Sequence, residues 1–128
     1  MIRETAPQRI ALAVVAEDEP LLRLDLADTL TDAGFDVLEA STAAEALYHL
    51  SARPGVGLLV TDVQMPGAMD GFALAREAAE RWPDMRIVVC SAYAKPRPGQ
   101  MPVGARFLDK PYSADLVTRL LRDMGVAA

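Results

Sequence analysis

Glu17, Asp18, Asp62, Ser91 and Lys110 are the side chains of this sequence whose types suit one another chemically: three carboxylates, a hydroxyl and an ammonium. Each stands at the end of a short strand-like run. Ile10 to Ala16 leads into Glu17 and Asp18, Val56 to Thr61 into Asp62, Ile87 to Cys90 into Ser91, and Arg106 to Asp109 into Lys110. In an open α/β sheet, ligands bind where the carboxyl ends of the strands line up, so these five groups are expected to share one cleft. Clustered oxygen ligands beside an ammonium and a hydroxyl suit a hard divalent cation and a phosphoryl group.

The chemistry follows from charge. A carboxylate can attack phosphorus in line to give an aspartyl phosphate, but two anions approach only if their charge is neutralised. Mg2+ does this with octahedral oxygen coordination, keeping several waters and needing few carboxylates. Asp18 and Asp62 fit as direct ligands, with Glu17 acting directly or through water. Taken singly, each residue has a plainer reading. Glu17 and Asp18 could be solvated acids before a helix begun by Pro20, Ser91 a turn residue, and Lys110 an exposed lysine. Asp62 closes an apolar strand, with Met65 and Pro66 after it, and has no obvious capping duty. The joint register of all five favours the site.

The elements that must position these groups alternate strand and helix. After the first strand, Pro20 opens a helix carrying Leu22, Leu26, Leu30 and Ala33 at helical spacing until Gly34. Phe35 to Ala40 is a short second strand. Thr42 with Glu45 forms a capping box before a helix whose stripe is Ala43, Leu47 and Leu50, ending by Pro54. Val56 to Thr61 is the third strand. Asp70 caps a third helix with Phe72, Ala75, Ala79 and Trp82 inward, closed by Pro83. Ile87 to Cys90 is continuously apolar, as in a strand covered on both faces. The last helix starts at Ser113 and carries Leu116, Val117, Leu120, Leu121 and Met124. Between Ser91 and Lys110 the rhythm breaks: Pro96, Pro98, Gly99 and Pro102 oppose a regular helix, so a loop with at most one helical turn is expected. The expected fold is α/β, a doubly wound parallel sheet with helices on both faces and the fourth helix short or absent.

Composition narrows the class. The chain has 128 residues, 52% hydrophobic and 24% charged, which suits one globular domain over residues 10–125, with residues 1–9 flexible. A formal net charge of −5 and no clustered basic patch argue against direct nucleic-acid binding. The single cysteine forbids an internal disulfide, and Cys90 in its apolar run reads as core packing. No apolar run is long enough to cross a bilayer, which makes the cytoplasm the expected compartment. His49 reads as a helix-edge residue, and Met65, Met69 and Met101 as loop and core filler.

Four motifs together resemble the receiver domain of two-component response regulators, from about Ile10 to Met124. They are Val-Val-Ala-Glu-Asp-Glu-Pro at 14–20, Leu-Leu-Val-Thr-Asp-Val-Gln-Met-Pro at 58–66, Val-Val-Cys-Ser-Ala at 88–92, and Phe-Leu-Asp-Lys-Pro-Tyr at 107–112. The resemblance implies a flavodoxin-like five-stranded sheet of order 2-1-3-4-5. It implies that Asp62 is the phosphoacceptor, taking its group from a phosphohistidine on a sensor histidine kinase or phosphotransfer protein. It adds the backbone carbonyl of Gln64 as a fourth metal ligand. Lys110 pairs with Asp62 before transfer and with a phosphoryl oxygen after it, and Ser91 donates its hydroxyl to another. In receivers the inward shift of that hydroxyl is coupled to an aromatic on the last strand, which the resemblance places at Phe107; it lacks the hydroxyl of the more usual tyrosine, and Tyr93 is expected as a substitute handle.

Two departures stand out. The loop from Pro66 to Gly71 is one residue longer than the commonest receiver loop, and the proline-rich stretch after Ser91 remodels the fourth-helix surface. A nonstandard partner surface centred on Tyr93 to Met101 is therefore expected. With no effector after Ala128, the expected output is an interaction with a downstream protein. Two other readings compete. A receiver-shaped adaptor would take no phosphate, and an aspartate-nucleophile phosphohydrolase would need a second acid where Gln64 stands.

Overall fold

A computed structural model describes residues 11–126. Ile10 and the expected flexible segment 1–9 lie outside the described residues. In chain order the elements are β1 (Ala11–Ala16), α1 (Pro20–Asp32), β2 (Phe35–Ala40), α2 (Ala43–Ala52), β3 (Val56–Asp62), α3 (Gly71–Arg81), β4 (Arg86–Ser91), β5 (Arg106–Asp109) and α4 (Ala114–Asp123). The five strands form one parallel sheet of order β2-β1-β3-β4-β5. The chain reverses its winding between β1 and β3, which opens a crevice at their carboxyl ends.

Strand residues alternate between two cores. Val14, Ala16, Leu59, Ile87 and Val89 face one side with α2 and α3, and Ala13, Val15, Leu58, Val60, Val88 and Cys90 face the other with α1 and α4. Because both faces are covered, the strands are apolar almost throughout. Trp82 and Ala79 pack at the margin of the first core, and Val117 and Leu121 anchor α4 in the second. Among the described residues no helix is long and apolar enough to cross a membrane.

The caps follow the sequence signals. Thr42 Oγ1 accepts from the Glu45 amide at 3.0 Å, Asp70 Oδ1 from Ala73 at 2.9 Å, and Ser113 Oγ from Leu116 at 3.1 Å. In the capping box, Glu45 reaches back one residue further than expected, to the Ser41 amide at 2.7 Å. Gly34, at φ 102, turns the chain out of α1. The apolar stripe of α1 differs from the expected one: Leu26, Ala27 and Leu30 are buried, whereas Leu22 is 45% exposed. This helix starts beyond the end of β1, and its first residues, Pro20 to Leu22, are exposed.

No helix connects β4 to β5. The segment 92–105 consists of turns and bends, as its three prolines require. It still covers the sheet, with Ala94, Met101 and Ala105 packed against the core beside Phe107. Polar contacts tie it down. Arg76 donates to the Gln100 carbonyl at 3.0 Å, the Arg97 amide donates to Gln100 Oε1 at 2.7 Å, and Lys95 pairs with Asp109.

Gly71, the first residue of α3, is held against the end of β3. Its N–H donates to the Val63 carbonyl at 2.8 Å. A Cβ there would overlap the Asp62 carbonyl oxygen and come within 2.7 Å of its carbon and 2.8 Å of Val63 Cα. These are backbone atoms that cannot rotate away. Gly71→Ala is therefore expected to lower unfolding stability by about 2 kcal/mol, in the range of overpacking costs, as read from urea denaturation midpoints.

Candidate functional site

The site is assembled by strand ends. β1 delivers Glu17 and Asp18 just past Ala16, β3 ends on Asp62, β4 ends on Ser91, and Lys110 follows β5. Their positions are fixed by backbone bonds that prolong the ladders. The Glu17 amide donates to Ala40 at 2.9 Å, Val63 to Cys90 at 3.0 Å, and Lys110 to Ser91 at 3.0 Å. Arg23, from α1, donates to the Glu17 carbonyl at 3.0 Å and closes the turn between strand and helix.

Four of the five groups singled out in the sequence meet here, and Ser91 stands at the adjoining strand end, tied to Lys110 through its backbone carbonyl. Glu17, Asp18 and Asp62 each place a carboxylate oxygen within 4.8 Å of the others. Lys110 Nζ lies 2.6 Å from Glu17 Oε1 and 3.2 Å from Asp62 Oδ1, bridging the two buried acids. Asp18 is exposed, and Gln64, Asp18 and Asp70 line a shallow opening of about 440 Å³ beside it. The donors are oxygens, and the cluster could hold a hard cation.

Burial sets the electrostatics. It pushes the Glu17 carboxyl above its usual range, opposed by the hydrogen bonds from Lys110 and the Glu19 amide, while the charge of Asp62 adds to the rise. Asp62 is likewise raised by burial, with Lys110 opposing and Asp18 adding to the rise. For Lys110, burial acts downward, but its bond to Glu17 and the charges of Asp62 and Glu17 outweigh this and hold it above the ordinary lysine value. The acids thus crowd one another, and a single ammonium only partly relieves them.

Ser91 is wholly buried. Its Oγ accepts from the Tyr93 amide at 3.2 Å and the Ala94 amide at 2.9 Å, and donates to Gln64 Oε1 at 3.1 Å. The Tyr93 side chain is 90% exposed, so this residue meets the site through its backbone. Phe107 is half-buried, two residues along β5 from the position paired with Ser91, and Lys95 Nζ sits 5.8 Å from its ring centroid.

Outside the cluster, His49 Nε2 contacts the Glu39 carbonyl at 2.9 Å on the α2–β2 edge. Cys90 is buried, with its thiol pushed up to about 12 by burial, consistent with inert packing. Sequence reasoning missed three contacts: Arg23 on the Glu17 carbonyl, the Gln64 side chain on Ser91, and the close approach of Gly71 to Asp62. Only the last had a signal, a glycine directly after the Asp70 cap.

A family model for the response regulator receiver domain matches residues 13–122. The chain is 33% identical over 118 residues to the response regulator receiver protein CpdR of Brucella abortus (strain 2308), covering 90% of this chain and 97% of that one. It is also 33% identical over 118 residues to the sensor kinase CckA of the same strain; that match takes in 89% of this chain but only 12% of the kinase. Among solved structures, a response regulator receiver protein from Sinorhizobium medicae WSM419 is similar with a TM-score of 0.81 and 31% sequence identity, covering 90% of this chain and 94% of that one.

The crowded carboxylates generate a pH-dependent prediction. Acids whose pKa is raised on folding favour the folded state below the ordinary carboxylate pKa, and this advantage is lost as pH rises through the raised values. A divalent cation bound by these acids would then take over the proton's role. At about pH 8, Mg2+ at roughly ten times its Kd is expected to stabilise the chain by about 1.4 kcal/mol. The gain should shrink as pH falls toward the carboxylate range, and sooner than for exposed acids, because burial makes Glu17 and Asp62 take up protons early. Thermal unfolding with and without Mg2+ across this interval checks both the sign and the window.

Proposed function

Because the chain belongs to the response regulator receiver family, the regulatory phosphoacceptor domains of two-component signalling, we propose that it is a switch phosphorylated on Asp62 by a sensor histidine kinase or phosphotransfer protein. The observation that carries this reading is the placement of Asp62. It ends the central strand, 3.2 Å from Lys110 and beside the carboxylates of Glu17 and Asp18.

In the proposed reaction a carboxylate oxygen of Asp62 attacks the phosphorus of a phosphohistidine. The new P–O bond forms as the P–N bond breaks, and the imidazole leaves. Asp18 and Asp62, with Glu17 directly or through water and the Gln64 backbone carbonyl, would hold Mg2+. Bound there, the ion would neutralise charge between the nucleophile and the phosphoryl group. Lys110 holds Asp62 in place beforehand and then pairs with a phosphoryl oxygen. Ser91 donates its hydroxyl to another. The site works by positioning and charge compensation.

The phosphoryl group brings roughly two negative charges and three strong acceptors, enough to draw Ser91 and its loop inward. Phe107, on β5, is the aromatic coupled to this shift. The output is an interaction with a downstream protein through the surface from Tyr93 to Met101, where a loop replaces a helix, and the compartment is the cytoplasm. Gln64 offers no carboxyl for proton transfer to water, which disfavours the phosphohydrolase alternative.

Incubation with acetyl phosphate and Mg2+ followed by intact-mass measurement tests the reading. The chain should gain one phosphoryl group, and labelling should disappear on Asp62→Asn or on chelation of the metal. Labelling that persists in D62N, or no labelling of the parent chain, would overturn it.

A further inference from the structure

We infer that Gln64 is a positioning residue: its side-chain amide holds the Ser91 hydroxyl in the unmodified chain and competes with the phosphoryl group for that single donor. The inference rests on the reading of Asp62 as phosphoacceptor and adds a residue that sets how readily the switch turns.

The hydrogen-bond inventory of Ser91 is complete. A hydroxyl has two lone pairs and one proton. The amides of Tyr93 and Ala94 occupy the lone pairs, at 3.2 and 2.9 Å, which leaves the proton for Gln64 Oε1 at 3.1 Å. This also fixes which way the Gln64 amide faces. Turned over, its NH2 would point at an oxygen with no lone pair left to accept. One proton cannot serve two acceptors, so Ser91 donates to Gln64 or to a phosphoryl oxygen on Asp62.

The same exchange reaches the segment that replaces a helix. Tyr93 and Ala94 are its first residues, and their amides are capped by Ser91 Oγ. When Ser91 turns toward the phosphoryl group, both amides lose that acceptor and the first turn of the segment must rearrange. Further along, Lys95 is held by Asp109 and Phe107, and Gln100 by Arg76. The rearrangement is therefore concentrated at residues 92–94, where the Tyr93 ring is 90% exposed to a partner.

Gln64 is itself exposed, so its hydrogen bond is worth the low end of the usual net range, roughly threefold in an equilibrium. The test is a double-mutant cycle of Q64M and S91A, read by calorimetric titration with beryllofluoride, as a phosphoryl analogue, in saturating Mg2+. Q64M keeps side-chain length without the acceptor, and Q64A serves as a second removal. The inference expects Q64M and Q64A to raise beryllofluoride affinity roughly threefold in the Ser91 chain and to leave it unchanged in the S91A background. The amide resonances of Tyr93 and Ala94 in unmodified Q64M should also move toward their positions in the beryllofluoride-saturated parent chain, a change that simple loss of packing would not produce. An affinity that is unchanged or lowered by both Gln64 variants, or an equal gain in the S91A background, overturns the role of Gln64 while leaving Asp62 as acceptor. No beryllofluoride binding by the parent chain overturns both.

Discussion

Three clustered carboxylates, two of them bridged by one ammonium, are the constraint on which the rest of the structure depends. Glu17 and Asp62 are buried, Asp18 is exposed beside them, and among the described residues Lys110 alone pairs with the buried acids. Burial raises the pKa of both buried acids, which means their ionised forms are held against their own preference. Such an arrangement persists only if the scaffold supplies the free energy that the site lacks. Here the scaffold is a sheet whose apolar strands are covered on both faces. A cluster with excess negative charge could hold a hard cation, and on the proposed function a cation-loaded cluster would accept a phosphoryl group.

The sheet does more than hold the acids in reach. Because the strands are parallel, their carboxyl ends share one edge, and each site side chain stands on the last residue of a strand or within two residues beyond it. Backbone bonds one step beyond the ladders, from Glu17, Val63 and Lys110, carry the register into the loops. Gly71 then lets α3 begin against the Asp62 carbonyl, at a distance no larger residue permits. Asp62 is thus gripped by its own backbone on one side and by Lys110 on the other. Its freedom to wander is small, as the proposed in-line attack would require.

Most of this was legible in the sequence because apolar runs ending in reactive residues report two things at once. The run identifies a strand, and its last residue identifies which group stands at the sheet edge. Caps at Thr42, Asp70 and Ser113 were equally readable, since short polar residues before apolar stripes have few other uses. The exposure of Leu22 was not readable, because helical spacing shows a stripe but not where the sheet beneath it ends. Nor were the contacts of Arg23 and the Gln64 side chain. Both side chains are long, and their partners, the Glu17 carbonyl and the Ser91 hydroxyl, are chosen by loop geometry that carries no periodic signal.

The segment after Ser91 shows how a local composition change can remodel one connection of the sheet while leaving the strand ends in place. Three prolines prevent a helix, yet the segment remains tied to the sheet through Ala94, Met101 and Ala105 and through Gln100 and Lys95. A helix would move as a rigid body when its first residues shift. A segment pinned at several separate points cannot; displacement at Ser91 is absorbed close to where it starts. The signal is therefore expected to be read by a partner that touches the region of Tyr93 next to the site. On this account the lost helix and the Ser91 cap belong together: the hydroxyl that answers the phosphoryl group is also the acceptor that shapes the first turn of the replacement loop.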